Sequence, residues 1–331
     1  MSKRAKPGFT TPLDKWILSP WGRKFRIGVL GATVVIYPTY YMIANGPMVK
    51  SRFKAKVDAD STLPERLDRI VTQEIKDYQE RTARADKDTV ISFLIQKDLN
   101  YLDSVAVGSL GMRFGAYIGL PLASRFQNKA EVEEYSKKYL EPLKVLQKDV
   151  CVVWETKFGK DLIDTLHLSD NAVRYLVARD ILSREGYQAY ANAAISWTTW
   201  TMFSSLLTYY LHLRKTKSFM RFVTIYVVLI SMAAFAHNEW HKLYRYMNDV
   251  HSDTTAARLS AAHCLGGLEY YMKLLRRHQM LRNVMDDGNV IFTPAGDKFD
   301  VTTKFLLRYS GLKDIKDEFS ELAEVTEGDV F

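Results

Sequence analysis

The stretch GYQAYANAAISWTTWTMFSSLLTYYLHLRKTKSFMRFVTIYVVLISMAAFAHN, residues 186–238, decides the fold. It contains two uncharged runs, residues 186–213 and 222–238, joined by a short loop that holds four basic residues. About 20 apolar residues cross a bilayer, and a basic loop suits a membrane hairpin better than the buried hairpin of a soluble protein. We therefore predict transmembrane helices at about residues 188–213 and 222–238.

Another uncharged run lies near the N-terminus, at Ile27–Val49. Pro38 falls inside it, and lipid-embedded helices tolerate proline where neighbouring helices satisfy the freed carbonyl. Tyrosines come near its far end, where aromatic rings with a polar tip favour the membrane interface. We predict a first span at about residues 27–48, and hence a mostly α membrane protein with three transmembrane helices and a small α+β exposed domain.

Basic residues near the spans set the expected orientation. Residues 1–26 hold seven bases and one acid, and the hairpin loop holds four bases and no acid. Residues 239–253 hold two bases and three acids. Because the inner face of a membrane collects the Lys and Arg of short flanks, we expect the N-terminus and the hairpin loop on that face. Residues 50–185 and 239–331 are then predicted to share the opposite side.

This topology predicts the organisation of the whole chain. A basic, acid-poor start without a recognisable cleavable signal fits the mitochondrial inner membrane, and it fits an uncleaved signal anchor of the endoplasmic reticulum equally well. The expected segments are a basic N-terminal segment (1–26), a span (27–48), the first half of an exposed α+β domain (50–185), a membrane hairpin (186–238), the second half of that domain (239–315) and a mobile acidic tail (316–331).

The exposed segments carry local signals for helices and strands. Thr62 and Glu65 form a capping-box pattern that predicts a helix to about residue 85, and Ser169 is a suitable N-cap for a helix leading into the hairpin. Residues 261–275 form an apolar stripe in which Gly266-Gly267 either admits a close neighbour or breaks the helix. Further predictions are a strand at 89–95, strands or a hairpin within 104–126, a helix at 129–148 and a hairpin at 290–293 and 298–301.

Composition argues against several classes of function. The net charge is +8, but the bases gather in the first 56 residues and the hairpin loop rather than on a basic face with interleaved aromatics. We therefore expect no nucleic-acid partner. Two isolated cysteines, Cys151 and Cys264, are too few for a disulfide framework or a metal cage. Cys264 falls on the apolar stripe and is expected to be buried.

Several blocks of sequence carry a family resemblance. AARLSAAHCLGGLEYYMKLL at 256–275, with IFTPAG at 291–296, resembles the C-terminal part of the transmembrane protein 177 family. LVARDILS at 176–183 and IGLPLAS at 118–124 resemble other parts of that family in the same order. The resemblance implies a mitochondrial inner-membrane protein that assists the biogenesis of cytochrome c oxidase. Its implied partners, besides the lipid bilayer, are subunit II of the oxidase and that subunit's membrane-bound assembly chaperone.

The order of parts is also similar to that of membrane metallopeptidases of the HtpX and Ste24 type. In those proteins a helix with His-Glu-x-x-His precedes a membrane hairpin, and a later helix supplies the third zinc ligand. By this resemblance Arg179 and Ser183 stand at the two histidine positions, Asp180 at the general base and Thr255 at the third ligand. Zinc needs imidazole, thiolate or carboxylate ligands, so the resemblance implies a pseudo-peptidase scaffold. A chance likeness of unrelated helices is the alternative.

One pair of histidines offers a different metal site. His237 and His241 lie four residues apart with Glu239 between them, a spacing that can bind zinc. The carboxylate is misplaced for a peptidase motif, and these residue types are ordinary at the end of a span. We therefore expect no catalytic, cofactor-binding or metal site, and a non-enzymatic factor that stabilises oxidase subunit II. The rival interpretation is an active membrane-bound metallohydrolase that uses these three residues.

Overall fold

The computed structural model describes residues 11–83, 90–213 and 218–328. The predictions for the first ten residues and for most of the basic hairpin loop lie outside the described residues. In chain order the helices and strands are α1 (Pro12–Leu18), α2 (Pro20–Asn45), α3 (Val49–Lys56), β1 (Ala59–Asp60), α4 (Glu65–Thr82), β2 (Ile91–Gln96), β3 (Val105–Gly108), β4 (Ala116–Leu120), α5 (Lys129–Tyr139), β5 (Leu143–Val145), β6 (Lys148–Val150), α6 (Lys157–Leu166), α7 (Asp170–Ser183), α8 (Gly186–Leu211), α9 (Phe219–Ala257), α10 (Ala261–Val284), α11 (Gly288–Ile291) and α12 (Phe305–Gly328).

The chain forms two compact units, and each is built from two separate segments. The helical unit comprises Met1–Ala44 and Ala191–Tyr244, and the mixed unit comprises Asn45–Tyr190 and Arg245–Phe331. Within the helical unit, Asp14 of α1 accepts a hydrogen bond from the backbone N–H of Phe219 at 2.7 Å. This bond satisfies one of the free N–H groups at the start of α9.

Two helices in the described part of the chain are long and apolar enough to cross a membrane, α2 and α9. α2 overlaps the span predicted at about residues 27–48, and α9 contains the span predicted at about residues 222–238, but each helix has other bounds than the predicted span. α2 begins at Pro20 and ends at Asn45, and α9 continues to Ala257 because residues 239–257 contain neither glycine nor proline to stop it. α8, the expected middle span, is uncharged and as long as α2, but its many Ser, Thr and Tyr residues make it too polar to qualify, so a third span is not confirmed.

The polar side chains of α8 make contacts inside the helical unit. Trp197 donates from Nε1 to the carbonyl of Thr33 at 2.9 Å, and Ser204 donates to the carbonyl of Leu229 at 3.1 Å. Thr208 is fully buried and donates to the Ser204 carbonyl within α8 itself. Hydroxyl-bearing residues of this kind allow membrane helices to pack closely and hydrogen-bond one another. α8 therefore packs against both α2 and α9 through polar groups.

A four-stranded sheet in the order β1-β2-β4-β3 organises the first segment of the mixed unit. β2 and β4 are parallel, whereas β1 pairs with β2 and β3 pairs with β4 in antiparallel register. The strand predicted near residues 89–95 and the strands predicted within 104–126 are confirmed. Gly108 and Gly115 adopt positive φ angles at the turn between β3 and β4, a conformation that favours glycine.

The core of the mixed unit lies around α7 and α10. Ser169 caps α7 as predicted, by accepting from the N–H of Ala172 at 3.2 Å. A Cβ atom at Gly266 would lie 2.1 Å from the carbonyl oxygen of Asn171, so only glycine lets α10 come this close to the start of α7. The glycine pair thus admits a neighbour, and α10 runs through it unbroken. Cys264 is buried, as expected.

Three local predictions for the mixed unit are wrong. The helix expected at 129–148 ends at Tyr139 and gives way to the β5–β6 hairpin, because Pro142 cannot continue a helix. α4 has Pro64 at its N-cap position, so the Thr62–Glu65 capping box does not form. The hairpin predicted at 290–293 and 298–301 has no strands: α11 covers Gly288–Ile291, and only one antiparallel bridge, between Phe292 and Lys298, pairs the two segments.

The acidic end of the chain continues as a helix. α12 extends through the predicted start of the tail at Lys316, and Phe319 packs against the core of the mixed unit. The segment was expected to have too few apolar residues to pack, but Phe319 does pack against the core.

Candidate functional site

Arg179 lies at the centre of a buried group of charged side chains. Its guanidinium group donates to Asp103 Oδ1 and Asp180 Oδ1, each at 2.8 Å, and to Ser104 Oγ at 2.6 Å. A further bond reaches the Tyr271 hydroxyl at 3.1 Å. Only 3% of Arg179 is exposed, so these groups replace the water that its charge would otherwise bind.

Asp103, in the loop between β2 and β3, faces two guanidinium groups. Its Oδ1 accepts from the Tyr270 hydroxyl at 2.5 Å, and Arg308 Nη1 lies 3.6 Å from its Oδ2. Burial raises the pKa of this carboxyl, but the positive charges of Arg179 and Arg308 lower it by more than burial raises it. The resulting pKa is about 2. Asp103 is therefore ionised at neutral pH.

A second ion pair extends the group. Arg308, on α12, donates from Nη2 to Asp253 Oδ1 at 2.8 Å and from Nε to the other carboxylate oxygen. The hydroxyls of Tyr175 and Tyr271 donate to the same Oδ1 at 2.9 and 2.8 Å. Tyr271 thereby connects Asp253 with Arg179. We call the connected set the Arg179 cluster; it consists of Asp103, Ser104, Tyr175, Arg179, Asp180, Asp253, Tyr270, Tyr271 and Arg308.

Asp180 differs from the other acids of the Arg179 cluster. Its Oδ1 accepts from Arg179 and from Ser104 Oγ, the latter at 2.8 Å, whereas its Oδ2 has no hydrogen-bond partner among the described residues. Burial raises the pKa of Asp180. A buried carboxylate oxygen without a donor is destabilising, so this atom can accept a proton or a hydrogen bond from a bound group.

A polar cavity of about 330 Å³ opens beside the Arg179 cluster. Asp103, Asp180 and Arg308 contribute to its lining. Asp249 adds a third carboxyl group, and three more basic residues line the cavity from other elements; they are Lys56, Arg184 and Arg245. The cavity therefore combines a buried carboxylate with a surplus of positive charge, which suits a small ligand that carries both an anionic group and a hydrogen-bond donor.

The three positions matched to metal ligands, Arg179, Ser183 and Thr255, and the one matched to the general base, Asp180, have different environments. Arg179 and Asp180 bond to each other in the cluster. Ser183 donates its hydroxyl to the Asp180 carbonyl at 2.9 Å and lines the cavity. Thr255 is half-buried on α9, but the α9 residue that joins the cluster is Asp253. The predicted positions thus contribute to an ion-pair network, and the register that made Thr255 a ligand equivalent gains no support from these contacts.

The rival site at His237, Glu239 and His241 has other contacts. The rings of His237 and His241 stack with centroids 6.2 Å apart, and His237 Nδ1 lies 3.3 Å from Ser196 Oγ. Glu239 is exposed and accepts from Lys242 Nζ at 2.7 Å. Across residues 11–83, 90–213 and 218–328, no group of three or more His, Cys, Asp or Glu side chains could hold a metal ion.

Sequence reasoning missed most of the Arg179 cluster. Asp103, Asp253, Tyr270 and Arg308 received no role, because nothing near them in the sequence indicates a partner. One signal was present in α7, where Arg179 and Asp180 interrupt a helix that is otherwise apolar on several faces. Charged residues in such a helix are buried with it and need opposite charges from elsewhere in the fold.

Comparisons with known proteins identify one family model and two related proteins. Residues 17–330 match the family model described as Transmembrane protein 177. A Caenorhabditis elegans protein, named Uncharacterized protein R144.12, is 38% identical over 315 residues, which cover 94% of each chain. Transmembrane protein 177 of Xenopus laevis is 27% identical over 158 residues, or 45% of this chain and 49% of that protein. No solved structure matches the chain.

The likeness to membrane metallopeptidases stays a prediction. The family match, by contrast, covers nearly the whole chain and includes α2, α9 and every residue of the Arg179 cluster. The chain therefore belongs to the transmembrane protein 177 family.

Proposed function

We propose that this membrane protein is a non-enzymatic assembly factor of the mitochondrial inner membrane that stabilises subunit II of cytochrome c oxidase. It acts together with that subunit's membrane-bound assembly chaperone. The oxidase role rests on the resemblance of residues 256–296, which supply the whole of α10 and the turn at Gly296. A membrane-bound client is consistent with a chain that has two membrane-crossing candidates of its own.

Two acids of the Arg179 cluster, Asp103 and Asp253, support the non-enzymatic part of the proposal. Asp103 and Asp253 each accept hydrogen bonds from a guanidinium group and from a tyrosine hydroxyl. A general base or nucleophile needs a lone pair that is free to act on a substrate, and in these two acids arginine and tyrosine donors engage the carboxylate oxygens. The cluster is therefore suited to hold α7, α9, α10 and α12 in one arrangement, as a binding scaffold requires.

The helical unit supplies surface for contacts with lipid and with a client's helices. Ile36 of α2 is 67% exposed and Phe235 of α9 is 68% exposed. In a bilayer, such side chains face lipid tails or the helices of another membrane protein. α8 packs against both helices through Trp197 and Ser204, which supports the proposal that it crosses the membrane with them. With three spans, the proposed topology has the N-terminus in the matrix and residues 50–185 and 239–331 on the other side, in agreement with the excess of basic residues before the first span.

A pulse-chase experiment on mitochondrial translation products tests the assembly role. A binding factor stabilises its client by mass action, because it favours the inserted state over the state that proteases attack. Loss of the protein should therefore shorten the lifetime of labelled subunit II while its synthesis during the pulse is unchanged. Restoring the wild-type chain should restore the lifetime, and the decay of oxidase subunit I, measured on the same gel, is the control. Equal decay of subunit II with and without the protein would contradict the proposal.

A further inference from the structure

Three basic side chains of the cavity beside the Arg179 cluster form no ion pair with a described residue, although Asp103, Asp180 and Asp249 belong to the same lining. Lys56 ends α3, Arg184 follows α7 and Arg245 lies on α9, so three elements bring positive charge to one place. In the described part of the chain, the lining residues that do form ion pairs through a base are Arg179 and Arg308.

The charges on these bases act on one another. Burial lowers the pKa of Lys56, and the positive charges of Arg52 and Arg245 lower it further. Bringing like charges together is unfavourable unless a counter-charge compensates them. The arrangement is therefore completed by an anionic group that binds between the bases, and the planar guanidinium groups of Arg184 and Arg245 suit the oxygens of a phosphate.

Asp180 adds a second requirement at the same cavity. It is only 3% exposed, it lines the cavity, and its Oδ2 lacks a hydrogen-bond partner among the described residues. A simple anion would offer this atom no donor. A ligand that carries a phosphate and, a few atoms away, an amine or hydroxyl group satisfies both the bases and the carboxylate.

The source of such a ligand is indicated by the sequence positions of the bases. Arg184 lies two residues before α8 begins, and Arg245 lies seven residues beyond Asn238, where the apolar run of α9 ends. Basic residues that directly flank membrane helices lie where phospholipid headgroups present their phosphates. A membrane protein meets phospholipids at high local concentration at these positions.

We propose that the cavity lined by Lys56, Arg184, Arg245 and Asp180 binds the headgroup of a phospholipid that has a terminal hydrogen-bond donor. The bases bind the phosphate, and Asp180 Oδ2 accepts from the amine or hydroxyl at the end of the headgroup. Phosphatidylethanolamine and phosphatidylglycerol meet this description, whereas phosphatidylcholine has no such donor. The site does not depend on the oxidase role, but it rests on the proposed crossing of the membrane by α8 together with the candidate span in α9.

Native mass spectrometry of the delipidated full chain tests the site. The protein is titrated in detergent with phosphatidylethanolamine, phosphatidylglycerol and phosphatidylcholine that share the same acyl chains. We expect tighter binding of the first two lipids. The triple variant Lys56→Gln, Arg184→Gln, Arg245→Gln should bind phosphatidylethanolamine at least about tenfold more weakly, since each charge-assisted bond to phosphate contributes about that factor. The matched control is Lys144→Gln, Lys157→Gln, Lys313→Gln, which removes the same charge from exposed positions away from the cavity and should bind as wild type.

Asp180→Asn separates lipid recognition from general structural effects. This variant should lose the preference for phosphatidylethanolamine over phosphatidylcholine. A loosened fold would weaken the binding of both lipids and leave the ratio of their affinities unchanged. The exposed single change Arg245→Gln provides a mild variant if the triple variant unfolds. Equal binding of all three lipids by wild type, or the same loss in the control triple variant, would overturn the proposal. Displacement of the lipid by millimolar inorganic phosphate would also overturn it, because the ligand would then be a soluble phosphate.

Discussion

Arg308 donates to both carboxylate oxygens of Asp253, and this pair joins α12 to α9 across 55 residues of sequence. Both side chains are almost fully buried, with 7% and 4% of their surface exposed. Tyr175 and Tyr271 donate to the same carboxylate, so Asp253 is held by three different elements. Burying two charges is costly unless they are well paired. Removing one partner should therefore cost more stability than the loss of one hydrogen bond, because the other charge stays buried without a counter-charge.

We predict that Arg308→Met lowers the stability of the chain by about 3–5 kcal/mol, because it leaves the Asp253 charge buried without a counter-charge. The double variant Arg308→Met, Asp253→Asn should recover part of this loss. Thermal unfolding in detergent, followed by the intrinsic tryptophan fluorescence to which the buried Trp154 contributes, measures both effects. The matched control is Arg258→Met, which breaks an exposed pair with Glu318 and should cost about 1 kcal/mol or less. If the loss of stability in the double variant equals the sum of the losses measured for Arg308→Met and Asp253→Asn alone, the pair is not coupled as described.

Gly266→Ala should be strongly destabilising. The new Cβ would lie 2.1 Å from the carbonyl oxygen of Asn171, so α10 and α7 would have to separate. We expect a loss of about 3 kcal/mol or more, at the upper end of the usual cost of overpacking. Gly311→Ala on α12 is the control, because nothing lies within 4 Å of its added Cβ, and it should stabilise by about 0.5–1 kcal/mol. Similar melting temperatures for the two variants would contradict the close approach.

His278 predicts a fall in stability at mildly acidic pH. Its Nδ1 lies 2.7 Å from the carbonyl oxygen of Gly296, and burial lowers its pKa to about 3. In the unfolded chain the pKa of histidine is about 6.5, so the unfolded state binds the extra proton first as the pH falls. Stability is therefore complete above about pH 6.5 and is lost progressively toward pH 3. Between pH 7 and pH 5 this residue should account for about 2 kcal/mol.

The variant His278→Gln should remove that share of the pH dependence. Denaturation of the wild type and the variant, measured at pH 7, 6 and 5, gives the difference directly, because the other titrating groups contribute equally to both. Identical slopes for the two proteins would show that His278 is not held neutral by the fold.

The position of the C-terminus tests whether α8 crosses the membrane. With three spans, a C-terminal tag and a tag inserted near residue 128, in the loop before α5, should both be cut by protease added to mitoplasts, while an N-terminal tag stays protected. If α8 does not cross, α9 returns the chain to the matrix and protects the C-terminal tag. A cut tag near residue 128 with a protected C-terminal tag would therefore refute the three-span topology.

Metal content tests the rival interpretation of His237, Glu239 and His241. We expect protein purified without a chelator to contain far less than one zinc ion per chain, because Glu239 is paired with Lys242 and Arg179 stands at a presumed ligand position. Elemental analysis of the wild type and of His241→Ala measures this. Stoichiometric zinc that disappears in the variant would favour the metallohydrolase.

Local sequence patterns predicted those features that depend only on neighbouring residues. Ser169 was identified as the cap of α7, because an N-cap needs only its own side chain and the next three residues. The uncharged runs in α2 and α9 were identified because length and hydropathy alone decide whether a helix can cross a membrane. Hydropathy did not indicate where either helix begins or ends, since a helix continues through polar residues until a glycine, a proline or a packing contact stops it.

The sequence by itself determined the family, the apolar membrane segments and most of the helix and strand order. It showed that Gly266 and Gly267 were exceptional in a helical stripe without deciding what they do. Only the tertiary structure decided that α7 approaches them, and that Arg179, Asp103, Asp253 and Arg308 form one buried cluster beside a basic cavity. The physical reason is that caps and hydropathy act between neighbours along the chain, whereas Coulombic attraction, desolvation and close packing depend on distances in space that exist only once the chain has folded.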